Sequence, residues 1–297
     1  MLPEMSSGVR RAFSAQCLFW IAVLAVAAFS IPAAPAFGQQ QCPFTTCGDG
    51  TDGKLDYTGQ SGTVYFDPVA LGLHGTGDAF CVYNFTSIAI PAGLTVLLSS
   101  YKLNCPVYWL SQGDVNIAGT LSVAGGPGAP VTMLSSVRIP AAPGSGGFTG
   151  GVGGNSSTNQ NATGGSGPGG GAPDLVGGSG NGGNYTANSF LVPLIGGSGG
   201  GGCTASGLFG AGGGAAGGGA ILIASSTQVI VSGTVTADGG SGVSNIQASD
   251  GGSGGAIRLV SITISGSGFI SADGFTYSGG ATSLAPAAGV SAWRLPL

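Results

Sequence analysis

Two stretches of alternating apolar and polar residues in the C-terminal half of the chain share one pattern. Residues 217–242 are GGGAILIASSTQVIVSGTVTADGGSG, and residues 254–274 are GGAIRLVSITISGSGFISADG. Each opens on glycines, continues through β-branched residues with a period of two, and closes on Ala-Asp-Gly. A period of two over four to eight residues is typical of a half-buried strand. The pattern therefore predicts short β-strands bounded by glycine turns.

Both stretches divide into three short strands, and earlier segments divide in the same way. The third strand of the unit lies in GTVTADG (233–239), in GFISADG (268–274) and, earlier, in GTLSVAG (119–125). The first two strands of each unit are VYWL (107–110) and VNI (115–117), AILIA (220–224) and VIV (229–231), and AIRLV (256–260) and ITI (262–264). A weaker copy, SIAIPAGLTVLL, covers 87–98. Repeats of about 20 residues are typical of solenoids. The sequence thus predicts an all-β fold, a right-handed parallel β-helix.

An antiparallel sandwich is the structural alternative, because the Ala-Asp-Gly ends could form hairpin turns. Alternation also predicts which side chains face inward. In AIRLV, Ile257 and Leu259 share one face and Arg258 takes the other, in or near solvent. The aligned copies predict inner and outer side chains in the same order: Val107, Trp109, Ile221 and Ile223 inside, Tyr108 and Leu222 outside.

A long glycine-rich insertion, residues 125–219, interrupts the strand units. Over a third of it is glycine, and its only charged residues are Arg138 and Asp174. A strict Gly-X-Y period is missing, which excludes collagen. The segment either forms a flexible linker or packs as polyglycine-II-like segments whose backbones bond to one another. The apolar piece SFLVPLI (189–195) favours the packed alternative, because a solvated linker has no use for it.

The N-terminus carries the features of a secretory signal peptide over residues 1–38. Arg10 and Arg11 precede the apolar run CLFWIAVLAVAAFSI (17–31), and small residues follow. A membrane anchor is the alternative, but the run is shorter than the roughly 20 residues of a spanning helix. We therefore expect a secreted or cell-surface protein without a membrane span. The exported chain is expected to be one structural domain, 39–297, in four parts: a Cys/Asp/Gly segment with the first strands (39–80), the first coils (81–124), the insertion (125–219) and the C-terminal coils (220–297).

Charged residues and candidate catalytic or metal-binding groups are few. Charged residues form 6% of the chain, against about 25% in ordinary domains, and no Lys/Arg cluster suits nucleic acid. His74 lies near Asp67 and Asp78 in sequence, but no G-x-S-x-G motif supplies a nucleophile. The acidic loop 47–59 departs from the calcium-loop spacing. We expect no cofactor, with calcium as a weaker alternative.

Five cysteines follow the signal peptide, and in an exported protein they are disulfide candidates. Cys42 and Cys47 could close a small loop. Cys81 and Cys105 are about one coil apart, which predicts that they lie on adjacent coils within disulfide reach. Cys203 is left over, either unpaired or buried. Asp238 and Asp273 occupy aligned turns, where a short Asp side chain commonly caps its own backbone.

Several segments resemble a group of uncharacterised, exported, glycine-rich bacterial proteins that are expected to form parallel β-helices. The resemblance rests on four segments: CGDGTDGKLDYTG, YNFTSIAIPAGLTVLL, LNCPVYWLSQGDVNIAGTLSVAGG and GGSGGAIRLVSITISGSGFISADG. It covers residues 47–274 and implies a bacterial source. It implies neither an established activity nor any site residue.

The sequence predicts a non-enzymatic structural or adhesive protein whose partners are polysaccharides or other cell-surface components. Tyr108, Trp109 and Arg258 are the expected surface contacts, and no catalytic or metal-binding residue is predicted. The alternative is a carbohydrate-active enzyme, a polysaccharide lyase or hydrolase, which would need several of its acids on one face of the helix.

Overall fold

Two sheets of parallel strands form the framework of the protein. The computed structural model describes the residues in the stretches 48–73, 81–131, 138–154, 160–175, 181–186, 188–204, 211–243, 249–275 and 290–294. These residues contain strands and no helix, so the predicted all-β class is confirmed. The predicted signal peptide, 1–38, lies outside the described residues, as do Cys42, Cys47, His74 and Asp78.

Two of the strands, Ala220–Val231 and Ala256–Ser265, each continue through both of the first two strands predicted for their unit, which corrects the prediction of three separate short strands. The described strands are separated by turns and glycine-rich connections. In chain order they are β1 (Gly53–Asp56), β2 (Gly62–Tyr65), β3 (Cys81–Ile90), β4 (Leu94–Leu97), β5 (Val107–Ser111), β6 (Val115–Ile117), β7 (Thr120–Ser122), β8 (Pro130–Val131), β9 (Ala211–Gly212), β10 (Ala220–Val231), β11 (Thr234–Thr236), β12 (Ala256–Ser265), β13 (Phe269–Ser271) and β14 (Val290–Arg294). Sheet one has the order β1-β3-β5-β10-β12-β14, with β6 beside β3 and β10. Sheet two has the order β13-β11-β7-β4-β2. Strands β8 and β9 form a separate antiparallel pair.

All pairs within sheets one and two are parallel, which excludes the antiparallel sandwich. Their register brings together the segments that the sequence pattern aligned. Ile221 lies opposite both Val107 and Ile257 in sheet one. Val235 lies opposite both Leu121 and Ile270 in sheet two.

One register differs from the sequence alignment. Val229 lies opposite Ile264 rather than Ile262, because the pairing of β10 with β12 shifts between Ser225 and Gln228. Beyond the shift Ile264 packs against the core, although strict alternation counted from Ile257 and Leu259 would place it on the outer face, so alternation alone cannot predict such an irregularity.

The inward-facing side chains of both sheets form one apolar core. The six side chains predicted to face inward are fully buried: Val107, Trp109, Ile221, Ile223, Ile257 and Leu259. The Trp109 ring lies edge-on to Phe66 and Phe85, with ring centroids 5.2 and 6.1 Å apart. The expectation that Trp109 offers a surface contact is therefore wrong, because the alternation that points Val107 inward also places Trp109 in the core.

The outer face of sheet one is covered, contrary to the expectation that it lies in or near solvent. Residues 188–195, which we call the strap, place Leu191 and Leu194 against Leu222 on this face, and all three side chains are buried. The strap is held locally by Asn188, whose side-chain amide donates a hydrogen bond to the Val192 carbonyl. The apolar segment SFLVPLI thus has a packing role.

The described glycine-rich residues of 125–219 hydrogen-bond to one another through their backbones with a period of three. The amides of Gly197, Gly200 and Cys203 donate to the carbonyls of Gly218, Ala215 and Gly212. The carbonyls of the same three residues accept from the amides of Phe148, Gly151 and Gly154. The bonds of one segment therefore reach more than one neighbouring segment.

Segment 196–204 is surrounded by such neighbours. Its backbone bonds to groups of six other segments: 146–154, 163–166, 171–174, Asn181, 212–218 and Ser253. A Cβ on Gly200 would lie closer than 3.0 Å to the carbonyl oxygens of Asp250 and Gly251. Only glycine permits this approach of one main chain to another.

We predict that Gly200→Ala lowers the free energy of unfolding by about 1–3 kcal/mol, the usual cost of overpacking. Gly164→Ala is the matched control in the same region. The nearest non-neighbouring atom to its added Cβ, the Gly171 carbonyl oxygen, lies 3.0 Å away, so a small shift relieves this contact, whereas the two contacts at Gly200 are at most 2.5 Å. Urea denaturation followed by circular dichroism measures both variants. Equal losses for the two would contradict a role for close main-chain contact.

The predicted disulfide between Cys81 and Cys105 is present, with the Cα atoms 5.9 Å apart. Cys81 opens β3, and its amide donates to the carbonyl of Pro106, the residue that follows Cys105. The bond therefore ties two neighbouring strands of sheet one at their start. Cys203 is buried and does not take part in it; its thiol lies 3.4 Å from the Gly212 carbonyl oxygen.

Replacing Cys81 and Cys105 together by alanine is expected to lower the free energy of unfolding by about 3.5 kcal/mol, the chain-entropy value for a loop of this size. The sequence separation of the two cysteines is 24 residues. Urea denaturation of this variant, with Cys42 and Cys47 intact, is the measurement. An unchanged denaturation midpoint would show that the cross-link does not restrict the unfolded chain.

Candidate functional site

The outer face of sheet two carries a row of threonines, one from each of four adjacent strands. The register places Thr63, Thr95, Thr120 and Thr234 side by side, and we call these four residues the threonine row. Phe269 of β13 continues the line beyond Thr234. The residue that follows each of these five is apolar and points into the core, which fixes the outward orientation of the row.

A second outward row runs parallel to the first, two residues further along each strand. It contains, in strand order, Tyr65, Leu97, Ser122, Thr236 and Ser271. Ser271 is buried, and its hydroxyl and that of Thr236 donate to Asp238 beside the row. Neither row contains a charged residue. Tyr65 at one end of the sheet and Phe269 at the other are 47% and 62% exposed. They belong to strands four intervals apart, about 19 Å at the usual strand spacing.

A cavity of about 480 Å³ opens beside Tyr65. Small-molecule sites commonly have volumes of about 300–1,000 Å³. Sheet two contributes Tyr65, Leu97 and Ser122 to its lining, and two connecting segments contribute Tyr101 and Ile139. The remaining lining residues are small or apolar: Leu98, Ser99, Ala124, Gly125, Gly126, Pro127, Ala129, Pro140, Ala141 and Ala142. No described residue that lines it is charged.

A hydrogen-bonded turn positions Tyr101 at this cavity. The amides of Lys102 and Leu103 donate to the Ser99 carbonyl, and the amide of Ser100 donates to the Pro143 carbonyl. Tyr101 itself is 73% exposed. The turn is therefore fixed by its backbone while the aromatic ring remains available to solvent.

An ion pair anchors the same turn to the end of β2. Lys102 Nζ donates to Asp67 Oδ2 at 2.6 Å. This hydrogen bond, together with one from the Ala70 amide, lowers the pKa of Asp67 below its usual value of 3.8. Asp67 therefore remains an anion and is balanced by Lys102.

Two further aspartates, Asp114 and Asp238, are also held by hydrogen bonds. Asp114 accepts from the Thr227 hydroxyl and the Gln228 amide, and these bonds lower its pKa. Asp238 accepts from the hydroxyls of Thr236 and Ser271, and from the backbone amide of Asp273.

The acidic loop near the start of sheet one follows the same principle. Asp49 and Asp56 accept from the backbone amides of Thr51 and Thr58, two residues on, which is a local turn arrangement. Within the described stretches, no group of three or more His, Cys, Asp or Glu side chains is arranged to hold a metal ion.

The surface contacts predicted from the sequence do not coincide with this face. Tyr108 and Arg258 lie on the outer side of sheet one and are partly buried there. The sequence analysis missed Tyr65, Tyr101 and the threonine row. The signal for the row was present in the aligned triplets TVY, TVL, TLS and TVT, which all begin with threonine, while the fifth aligned triplet, FIS, begins with phenylalanine.

We predict that Asp67→Asn makes the melting temperature less dependent on pH in the acidic range. A depressed folded-state pKa contributes stability above the ordinary Asp value of 3.8, and that contribution is lost as the pH falls through the lower folded-state pKa. The melting temperature of the variant should thus fall less steeply at acidic pH than that of the parent chain. Lys102→Met should flatten the profile in the same way, since it removes the donor. Profiles identical to the parent's would show that this pair is not coupled to folding.

No helix among the described residues has both the length and the apolar character needed to cross a bilayer. The chain matches no protein-family profile, and neither a curated protein nor a solved structure shows significant similarity to it.

Proposed function

We propose that this protein is an exported, non-enzymatic β-helical protein that acts as an adhesive or structural component at the bacterial cell surface or in the extracellular space. The observation that carries the proposal is the outer face of sheet two, where two outward rows of uncharged side chains run across the strands and exposed aromatic rings lie at both ends. Such a face offers contact area and hydrogen-bonding groups. The carboxylate that adjoins it, Asp238, is already held by the hydroxyls of Thr236 and Ser271 and by the Asp273 amide. Polysaccharides of cell surfaces are the partners that it suits.

A right-handed parallel β-helix is the architecture we propose for the strand units. The chain alternates between the sheets: β10 of sheet one is followed by β11 of sheet two, then by β12 and β13 in the same order. Each return adds a strand parallel to the one before, so the chain winds around a shared core. Connections between parallel strands of one sheet are right-handed in about 98% of cases, which supports the handedness.

The glycine-rich segments are proposed to form a bundle of polyglycine-II-like helices. Their three-residue hydrogen-bond period is the period of this helix, which has no internal hydrogen bonds and must bond to neighbours. Such a bundle gives the long insertion a fixed structure beside the β-helix. A rigid scaffold holds a binding face in place without a large side-chain core.

The positions of two carboxylates support the non-enzymatic function over the enzymatic alternative. A polysaccharide lyase or hydrolase needs acids that converge on the substrate, with one of them protonated or poised as a base. Asp67 is paired with Lys102, and Asp114 is held by Thr227 and Gln228 on the other sheet. Lowered pKa values favour the anionic form of both. They serve as structural acceptors.

Export is supported by the N-terminal pattern of 1–38 and by the disulfide. Disulfides persist in oxidising compartments such as the periplasm and the extracellular space. The resemblance to exported glycine-rich bacterial proteins agrees with the same location.

Co-sedimentation tests the adhesive function. The full-length chain, expressed in a secreting bacterial host and collected after export, is incubated with insoluble β-glucan, chitin, acidic polysaccharide gel and bacterial cell walls. We expect it to sediment with at least one uncharged polysaccharide or with the walls and to release no sugar. Failure to bind any of these surfaces would refute the adhesive function, and release of reducing ends or unsaturated sugars would establish the enzymatic alternative.

A further inference from the structure

We infer that the cavity between Tyr65 and Tyr101 is a binding site for a sugar residue of a neutral, linear glycan, and that the glycan continues from the cavity across the strands of sheet two along the threonine row. This inference rests on the proposed adhesive function and names its site and ligand class. It concerns residues that neither the sequence pattern nor any similarity assigned to a role.

The cavity has the mixed chemistry of a sugar site. A pyranose ring has apolar C–H faces and a rim of hydroxyl groups, so it suits a site with aromatic walls and a few hydrogen-bonding groups. Tyr65 and Tyr101 supply rings with a polar tip, which pack against apolar surface while the hydroxyl stays wet. Ser99 and Ser122 supply hydroxyls that can both donate and accept. Every sugar hydroxyl can likewise both donate and accept a hydrogen bond.

The charge of the site selects the class of glycan. The described residues that line the cavity are all uncharged, and the nearest ion pair on the same turn, Asp67 with Lys102, is balanced internally. A uronate or sulfated sugar would have to leave water here without a compensating cation, which is costly. A neutral sugar loses only hydrogen bonds to water, and the hydroxyls of Ser99 and Ser122 can replace them. The structure therefore favours an uncharged glycan over an acidic one.

The face beyond the cavity gives the glycan its direction. Tyr65 belongs to the second outward row, and the threonine row lies immediately beside it on the same strands. Neighbouring strands are about 4.8 Å apart, a spacing similar to the length of one sugar residue in an extended chain. Each strand can thus present one threonine hydroxyl to one sugar residue, and Phe269 ends the line with a second exposed ring.

The site is held in place before any ligand arrives. Tyr65 lies on a paired strand, and Tyr101 lies on the turn held by Ser99, Pro143 and the Lys102–Asp67 pair. A preformed site loses little conformational entropy when it binds, which raises affinity. The hydroxyl rows of the sheet are equally fixed by backbone pairing.

Calorimetric titration with a linear, neutral hexasaccharide of β-linked glucose tests the inference in the full-length exported chain. Tyr65→Ala and Tyr101→Ala should each weaken binding by about tenfold or more, as expected when an aromatic anchor is truncated. Tyr65→Phe and Tyr101→Phe should retain most of the affinity because the ring remains. Phe190→Ala is the matched control, since this strap residue is 59% exposed on the other side of the protein. Thermal melting of each variant checks that it is folded.

Two further measurements separate the inference from the proposed function. Thr120→Asp and Thr234→Asp should reduce binding, since each adds a charge to the threonine row, and an acidic hexasaccharide of galacturonate should bind the parent chain at least tenfold more weakly than the neutral one. If the parent chain sediments with polysaccharide but the alanine variants bind as it does, the cavity is not the site, although adhesion stands. If the acidic oligosaccharide binds better than the neutral one, the ligand class is wrong. If the parent chain binds no glycan in solution or on any surface, both proposals are overturned.

Discussion

The close approach of one main chain to another is the constraint on which this structure depends. In both sheets successive passes of the chain pair in parallel, and in the glycine-rich segments backbones bond directly where a Cβ would collide with a carbonyl oxygen. Backbone groups are obligatory hydrogen-bonding groups, so every buried segment must find such partners. A chain with 6% charged residues and 62 glycines meets this requirement with the main chain itself.

Because the main chain makes most of these contacts, apolar and short polar side chains have separate roles. Aliphatic and aromatic residues fill the single core between the sheets, where Trp109 and Phe66 are fully buried. Short hydroxyl and carboxylate side chains, such as Thr236 and Asp238, close the turns. The side chains of the two outward rows of sheet two are all uncharged. The proposed glycan contact therefore uses what the architecture leaves available: hydroxyls on strands and a few exposed rings.

Much of the framework could be predicted from the sequence, because its determinants are local. The period of two in AIRLV and AILIA predicted the burial of Ile257 and Ile223, and the spacing of Cys81 and Cys105 predicted their disulfide. The cover over sheet one could not be predicted, because Leu191 meets Leu222 only after a long glycine-rich segment folds back. The cavity was missed for the same reason: Tyr101 reaches Tyr65 through a turn that is fixed by Pro143. Hydrophobic periodicity carries no information about contacts between segments that do not repeat one another.

The burial of Cys203 has a consequence for oxidative maturation. Exchange between thiols and disulfides needs an accessible thiolate, and burial raises the pKa of the Cys203 thiol while the surrounding glycine backbones shield it. Once segment 196–204 is in place, this sulfur can no longer attack the bond between Cys81 and Cys105. Packing of the glycine segments around Cys203 thus disfavours thiol exchange with the Cys81–Cys105 disulfide in the folded chain.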